Sequence, residues 1–435
     1  MRSKQNINVL PMLAALALTA NIFLWQFQFP LFGFDGIGIN FMLSAPLAFG
    51  FTMLPPVVKQ RFGVLLGLLL LHALLVFLFG ALSARAVGTI IAIGLFVSGI
   101  CVALRLALRD NFLATRKLIL LLLYAQLFLH SFEFAGLYDP STNWSRPHYL
   151  FGFDVPTGFF TEASHVGLCL GPLMFLWFSP SALNKRIALL AGTSVMLSLS
   201  TTGVVVVVFI SLAFLLRSSD VSTVMKRMIL ALSAGVVIYI VLTTESFTEI
   251  NERVVSLANI ITGEAGDNIN LSSLIYMNGA NMALEGLRDI VGAGAGQMLL
   301  YYPDAPYSFL IEVINRGEAL NRNDGGSTAF KLFAEFGVFA LVFVIYYVLF
   351  VVRLLRQEKD PLIIILSMYL LITMVRGASY FDDAVGISVG LLMFAPVLLS
   401  RARQGQVPSG AARWQSGEDA ALDRLHPLGP NTASR

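Results

Sequence analysis

Charge is scarce in this chain. Asp, Glu, Lys and Arg make up 13% of its 435 residues, against roughly 25% in a soluble globular domain. That shortage, with 57% hydrophobic residues and a mean hydropathy of +0.77, excludes a set of water-soluble domains, a disordered chain and a coiled coil. Cysteine is nearly absent. Cys101 and Cys169 both fall inside apolar runs, which excludes a secreted disulfide scaffold. A formal net charge of +3 is too small to argue for nucleic acid. What is abundant is long apolar sequence, and the fold class it predicts is an all-α, polytopic integral membrane protein.

A helix crosses the bilayer core with about 20 apolar residues. Such runs stand at 8–26, 37–56, 62–82, 87–104, 118–136, 161–179, 187–200, 202–216, 228–243, 329–352, 361–376 and 383–400. The predicted architecture is therefore twelve spans. The first run follows Arg2 and Lys4 as a signal peptide would, but eleven more runs behind it favour an uncleaved span. With a cytoplasmic N-terminus, 21 of the 29 Lys and Arg residues fall on the cytoplasmic side, and 19 of the 26 acidic residues fall on the other. Both termini are expected in the cytoplasm. The expected units are a nine-span bundle over 1–243, a large external loop over 244–328, three spans over 329–400 and a disordered tail over 401–435. Within the loop, 271–288 has the spacing of an amphipathic helix.

Ionisable groups at the edge of a span are costly to keep there and point to function. One cluster is His130 and Glu133 at the end of the fifth run, with Glu162 and His165 at the start of the sixth. Each pair is spaced i,i+3 and shares a helix face. The four could hold a metal, but hydration or pairing at the headgroup level is the better reading, so no metal is assigned. The second feature is LSLSTTG, from Leu197 to Gly203. The run 187–200 gives only about 21 Å of helix against a core of roughly 30 Å, so Ser200 and Thr201 would lie below the surface facing a cavity.

The third feature is the loop itself. Arg253, Arg288, Arg316 and Arg322 stand on the side where arginine is depleted, and a guanidinium fork suits phosphate oxygens. The glycines of VGAGAGQM superficially resemble a dinucleotide fingerprint, but a plain turn is the better reading. Asp324 follows close by. Glu335 is expected to be buried and neutralised by Lys331, or by Arg376 from elsewhere in the bundle. His72, midway along the third run, is expected to make an interhelical hydrogen bond.

Three stretches carry a family resemblance. Gly158-Phe-Phe-Thr-Glu162-Ala-Ser164 is similar to G-x-F-x-E-P-S, with Ala163 in place of proline. Leu197–Gly203 is similar to L-S-x-S-R-T-G, with Thr201 in place of arginine. Gly292–Gly296, followed by Asn323–Gly337, is similar to G-x-G-x-G and A-E-F-G signatures. On these and the topology, the chain resembles the O-antigen polymerase and O-antigen ligase superfamily, most closely the Wzy-type exopolysaccharide polymerases.

The resemblance implies a glycosyltransferase on the periplasmic face of the bacterial inner membrane. It would join oligosaccharide units carried on undecaprenyl diphosphate, with no cofactor. The partners implied are that lipid-linked oligosaccharide and membrane lipids, with a chain-length regulator and a flippase as possible protein partners. Glu162 or Asp324 is then the expected base. Arg253, Arg316 and Arg322 are expected to hold the diphosphate, with His165, Ser200 and Thr201 completing the binding set. Ligases of the superfamily place a histidine near the end of the large loop. Asn323 and Asp324 stand there instead, which favours a polymerase over a ligase. A lipid-linked glycan transporter is the alternative from another class, and the nearly featureless inner halves of the spans count against it.

Overall fold

The computed structural model describes residues 9–25, 27–31, 34–79, 82–137, 149–150, 153–154, 157–160, 162–198, 202–203, 206, 255, 259, 271–377, 379–382 and 384–403. The run at 202–216 apart from 202–203 and 206, the run at 228–243, Ser200, Thr201, Arg253 and the tail beyond 403 lie outside the described residues.

Apart from two short antiparallel hairpins, Gln28–Leu31 with Phe34–Gly38 and Tyr149–Leu150 with Phe153–Asp154, every regular element described is helical. Helix α1 is Val9–Phe23, and α2 is Ile39–Ser44, which tightens into a 3₁₀ turn over Ala45–Met53. Then come α3 (Pro56–Leu78), α4 (Ala84–Arg109) and α5 (Leu113–Phe134). Helix α6 (Ala163–Leu170) runs into a 3₁₀ segment, Gly171–Phe178, and α7 is Ala182–Leu197. The loop region holds α8 (Leu271–Arg288) and α9 (Ser308–Ile314). The chain closes with α10 (Thr328–Phe336), α11 (Val338–Gln357), α12 (Pro361–Val375), α13 (Val385–Met393) and α14 (Ala395–Arg403).

Four of these helices, α3, α4, α5 and α11, are long and apolar enough to cross a membrane. Their outer faces carry exposed Leu, Val, Ile and Phe, as a lipid-facing surface requires. Helices α12 and α13 are buried nearly all round and form the centre. Tyr347 and Tyr369 fill that centre, with hydroxyls donating to the Ser367 carbonyl (2.6 Å) and the Cys169 carbonyl (2.5 Å). Cys101 and Cys169 are both free and buried.

The apolar run at 329–352 is two helices rather than one. The break falls at Gly337, where φ is +54° and ψ −131°. A Cβ there would overlap the Ile290 carbonyl, whose oxygen accepts from Val338 N at 2.9 Å. Hydropathy is blind to this turn because apolar residues flank it on both sides. As a result α10 packs along α8, so the last helix before the break belongs with the loop region.

Candidate functional site

The site begins at the end of α5. Gln126, His130 and Glu133 recur at i, i+4 and i+7 and share one buried face. Glu133 accepts from Thr157 N (2.7 Å) and Gly158 N (2.8 Å) with its two oxygens. Gln126 accepts from Phe159 N (2.8 Å) and donates to the Thr157 carbonyl (2.9 Å). His130 Nε2 lies 2.7 Å from the Gln126 amide nitrogen. Glu133 and Gln126 thereby hold the backbone of the loop that precedes α6. Among the described residues, no group of three or more His, Cys, Asp or Glu is placed to hold a metal.

That clamp explains the first glycine of the 158–164 stretch. Gly158 has φ +62°, and a Cβ on it would lie 2.5 Å from the Gln126 carboxamide carbon. Gly158→Ala should therefore destabilise the protein by about 2 kcal/mol, from the left-handed backbone and the displaced amide. Thermal unfolding in detergent checks this. Adding Gln126→Ala should then cost less than it does alone, because the two changes break the same contacts.

The clamp delivers Glu162 to the start of α6. Glu162 is the N-cap residue, but its side chain makes no capping bond; Ser164 Oγ donates to it at 3.0 Å. His165, one turn in, stands edge-on to Trp25 at 5.2 Å. Both the Glu162 carboxylate and the Arg376 guanidinium act electrostatically on that ring. Arg376 follows directly on the end of α12.

The second half of the site centres on Glu335, whose side chain is wholly buried. It accepts from Lys331 Nζ (2.8 Å), Gly296 N (2.7 Å), the Tyr380 hydroxyl (2.6 Å) and, more weakly, Met298 N (3.4 Å). Lys331 also donates to the Asn323 carbonyl at 2.6 Å. Lys331, not Arg376, is thus the partner of Glu335. The glycine-rich stretch wraps the end of α10: Ala293 N and Gly294 N each donate at 2.9 Å to the carbonyls of Ala334 and Glu335. It is a turn that sequesters a carboxylate, and no phosphate cradle.

Asp324 is held by Gly326 N (2.9 Å), and burial raises its carboxyl above the ordinary range. Asp382, on the loop after α12, accepts from Ser379 N at 3.0 Å. Burial and the neighbouring Asp324 push Asp382 up to about 7. The two loops are tied together, since Ser327 Oγ donates to the Met374 carbonyl at 2.5 Å. From α8, the Tyr276 hydroxyl donates to the Val375 carbonyl at 2.8 Å.

The residues after α12 therefore join both halves, with Arg376 beside His165 and Tyr380 and Asp382 beside Glu335 and Asp324. Of the residues singled out from sequence, Glu162 and His165 come together, and Asp324 joins Lys331 and Glu335. Arg316 and Arg322 are exposed and form no ion pair among the described residues. Arg376, Tyr380 and Asp382 complete the site. The sequence sign was the polar stretch RGASYFDD set between two apolar runs. A search of protein-family models finds no match, and a search of curated proteins finds no significant one.

Proposed function

We propose that the protein is a glycosyltransferase that polymerises undecaprenyl-diphosphate-linked repeat units on the periplasmic face of the inner membrane. In this reading the chain has twelve spans, both termini are cytoplasmic, and 244–328 is the large external loop. The observation that carries it is the convergence of two stretches that resemble polymerase signatures. Glu162 from 158–164 with His165 directly after that stretch, and Asp324, Lys331 and Glu335 from 323–337, meet the same loop after α12.

In the transfer, the acceptor hydroxyl oxygen bonds the anomeric carbon of the donor sugar as the bond from that carbon to the diphosphate oxygen breaks. Glu162 takes the hydroxyl proton. The leaving diphosphate gathers negative charge, which fixed guanidinium groups stabilise. Arg376, which acts electrostatically on His165, is assigned to that charge in this scheme, together with Arg253, Arg316 and Arg322.

The test is glycan chain length in a deletion strain complemented with variants. Wild type restores long chains. Arg376→Ala should lower polymer about ten- to a hundredfold, the loss of one charge-assisted hydrogen bond worth about 1.5–3 kcal/mol. Arg376→Lys should recover only part, because a point charge does not reproduce a bidentate fork. Polymer of normal length but unattached to its core in the deletion strain would show a ligase instead.

A further inference from the structure

The glycine-rich turn that follows α8 sits lower than an external loop should. His72 Nε2 donates to the Val291 carbonyl at 2.8 Å, and His72 lies six residues, about 9 Å, short of the Leu78 end of α3. A Cβ on Gly294 would lie 3.1 Å from Val76 Cγ1, and one on Gly296 would overlap Thr89 Oγ1. Thr89 stands five residues, about 7.5 Å, inside α4. Both helices are long and apolar enough to cross a membrane. Three separate contacts therefore seat the turn between the ends of these helices and not beyond them.

Its backbone is equipped for that place. Irregular chain at membrane depth is tolerated only where protein satisfies its polar groups. Ile290 N donates to the Leu287 carbonyl (3.2 Å), Val291 N to that of Asp289 (2.6 Å), and Ala293 N and Gly294 N to those of Ala334 and Glu335 (both 2.9 Å). Gly296 N donates to the Glu335 carboxylate at 2.7 Å. The Ile290 and Val291 carbonyls accept from Val338 N and His72. The charges that lead into the turn are partnered as well, Arg288 with Glu285 and Asp289 with the Tyr301 hydroxyl.

Ile290 is out of character for a turn in water. Its φ is +62°, a left-handed backbone that β-branched residues rarely adopt and glycine usually fills. It is also 62% exposed. Its carbonyl holds Val338 N, and Val338 and Phe339, which open α11, are exposed too. From Val338 to its first charge, Arg353, α11 offers 15 residues, about 22 Å, against a core of roughly 30 Å. That shortfall matches the depth of the turn.

We infer that the turn 289–296 re-enters the bilayer at the Leu78–Ala84 end and lays the Ile290 side chain against lipid acyl chains, continuing the lipid-facing surface of α11. The stretch 244–328 is then not wholly external, and Glu335, which the turn wraps, lies level with the bilayer rather than above it. The inference rests on the membrane-spanning helices and not on the proposed glycan transfer.

The test is a nitroxide on Ile290→Cys in the full chain, reconstituted in phosphatidylcholine vesicles. Cys101 and Cys169 are buried, and wild type treated with the label is the blank. The collision rate with a water-soluble nickel chelate should lie about tenfold or more below that of a nitroxide on Glu318→Cys, an exposed loop position, because hydrocarbon excludes a polar complex. The collision rate with oxygen, which concentrates among acyl chains, should match that at Leu121→Cys on the exposed face of α5. A nickel rate equal to that at Glu318 would put the turn in water, and low rates with both would bury Ile290 in protein; either overturns the inference. Should the variant fail to fold, wild type irradiated with a phosphatidylcholine carrying a diazirine on one acyl chain decides. Adducts at 289–291 uphold the inference, and adducts on α5 with none at 289–291 overturn it. Glycan chain length is no part of the readout, so a failed transfer reading leaves this result standing.

Discussion

Lys331→Met should cost about 3–5 kcal/mol of stability, the usual consequence of stripping one partner from a buried ion pair. The Lys331 side chain is 8% exposed and that of Glu335 not at all, so no water replaces the lost ammonium. Methionine keeps the length of the stem, which confines the change to charge. Glu335 would retain Gly296 N and the Tyr380 hydroxyl, which soften the loss without balancing the charge. The measurement is thermal unfolding of the detergent-solubilised protein. Adding Glu335→Gln to Lys331→Met should recover part of the loss, since it removes the uncompensated carboxylate. Equal midpoints for wild type and Lys331→Met would show that the pair contributes nothing.

The legible part of this centre was local. Lys331 and Glu335 are one helical turn apart, and that spacing is visible in any apolar helix. Tyr380 stands 45 residues further along, and Gly296 stands 39 residues before Glu335. No period in the sequence joins them, because loops around α10 make those contacts. Glu133 shows the converse limit. Its spacing with His130 is compatible with a ligand pair or with pairing at the headgroup level, and in the fold Glu133 accepts from the backbone of 157–158. A carboxylate at the end of a span reads the same in sequence whether it meets a substrate or a peptide N–H. Membrane character was legible throughout, because hydropathy needs no partner. The turn at Gly337 was not, because only a positive φ marks it.

Glu162→Gln should leave the fold intact and lower polymer formation by about 10²–10⁴-fold, the range general base catalysis supplies. The structural role that would compete with this is helix capping, in which a carboxylate in the first turn adds about 0.3–1 kcal/mol. Glu162 is at the N-cap with extended backbone (φ −144°, ψ 149°), but its carboxylate makes no cap bond. The Ser164 hydroxyl that donates to it would donate equally to a glutamine carbonyl. The substitution therefore removes basicity and keeps shape. Glu162→Gln should unfold within about 1 kcal/mol of wild type, with its loss confined to chain length on the gel. Asp324→Asn is the necessary companion, since Asp324 is the second candidate base, held by Gly326 N and raised by burial. One Asp324 oxygen is committed to Gly326 N within its own loop. Loss of the Asp324 carboxylate should therefore change polymer yield less than that of Glu162. Full-length polymer from Glu162→Gln together with none from Asp324→Asn would reverse the assignment and make Asp324 the base.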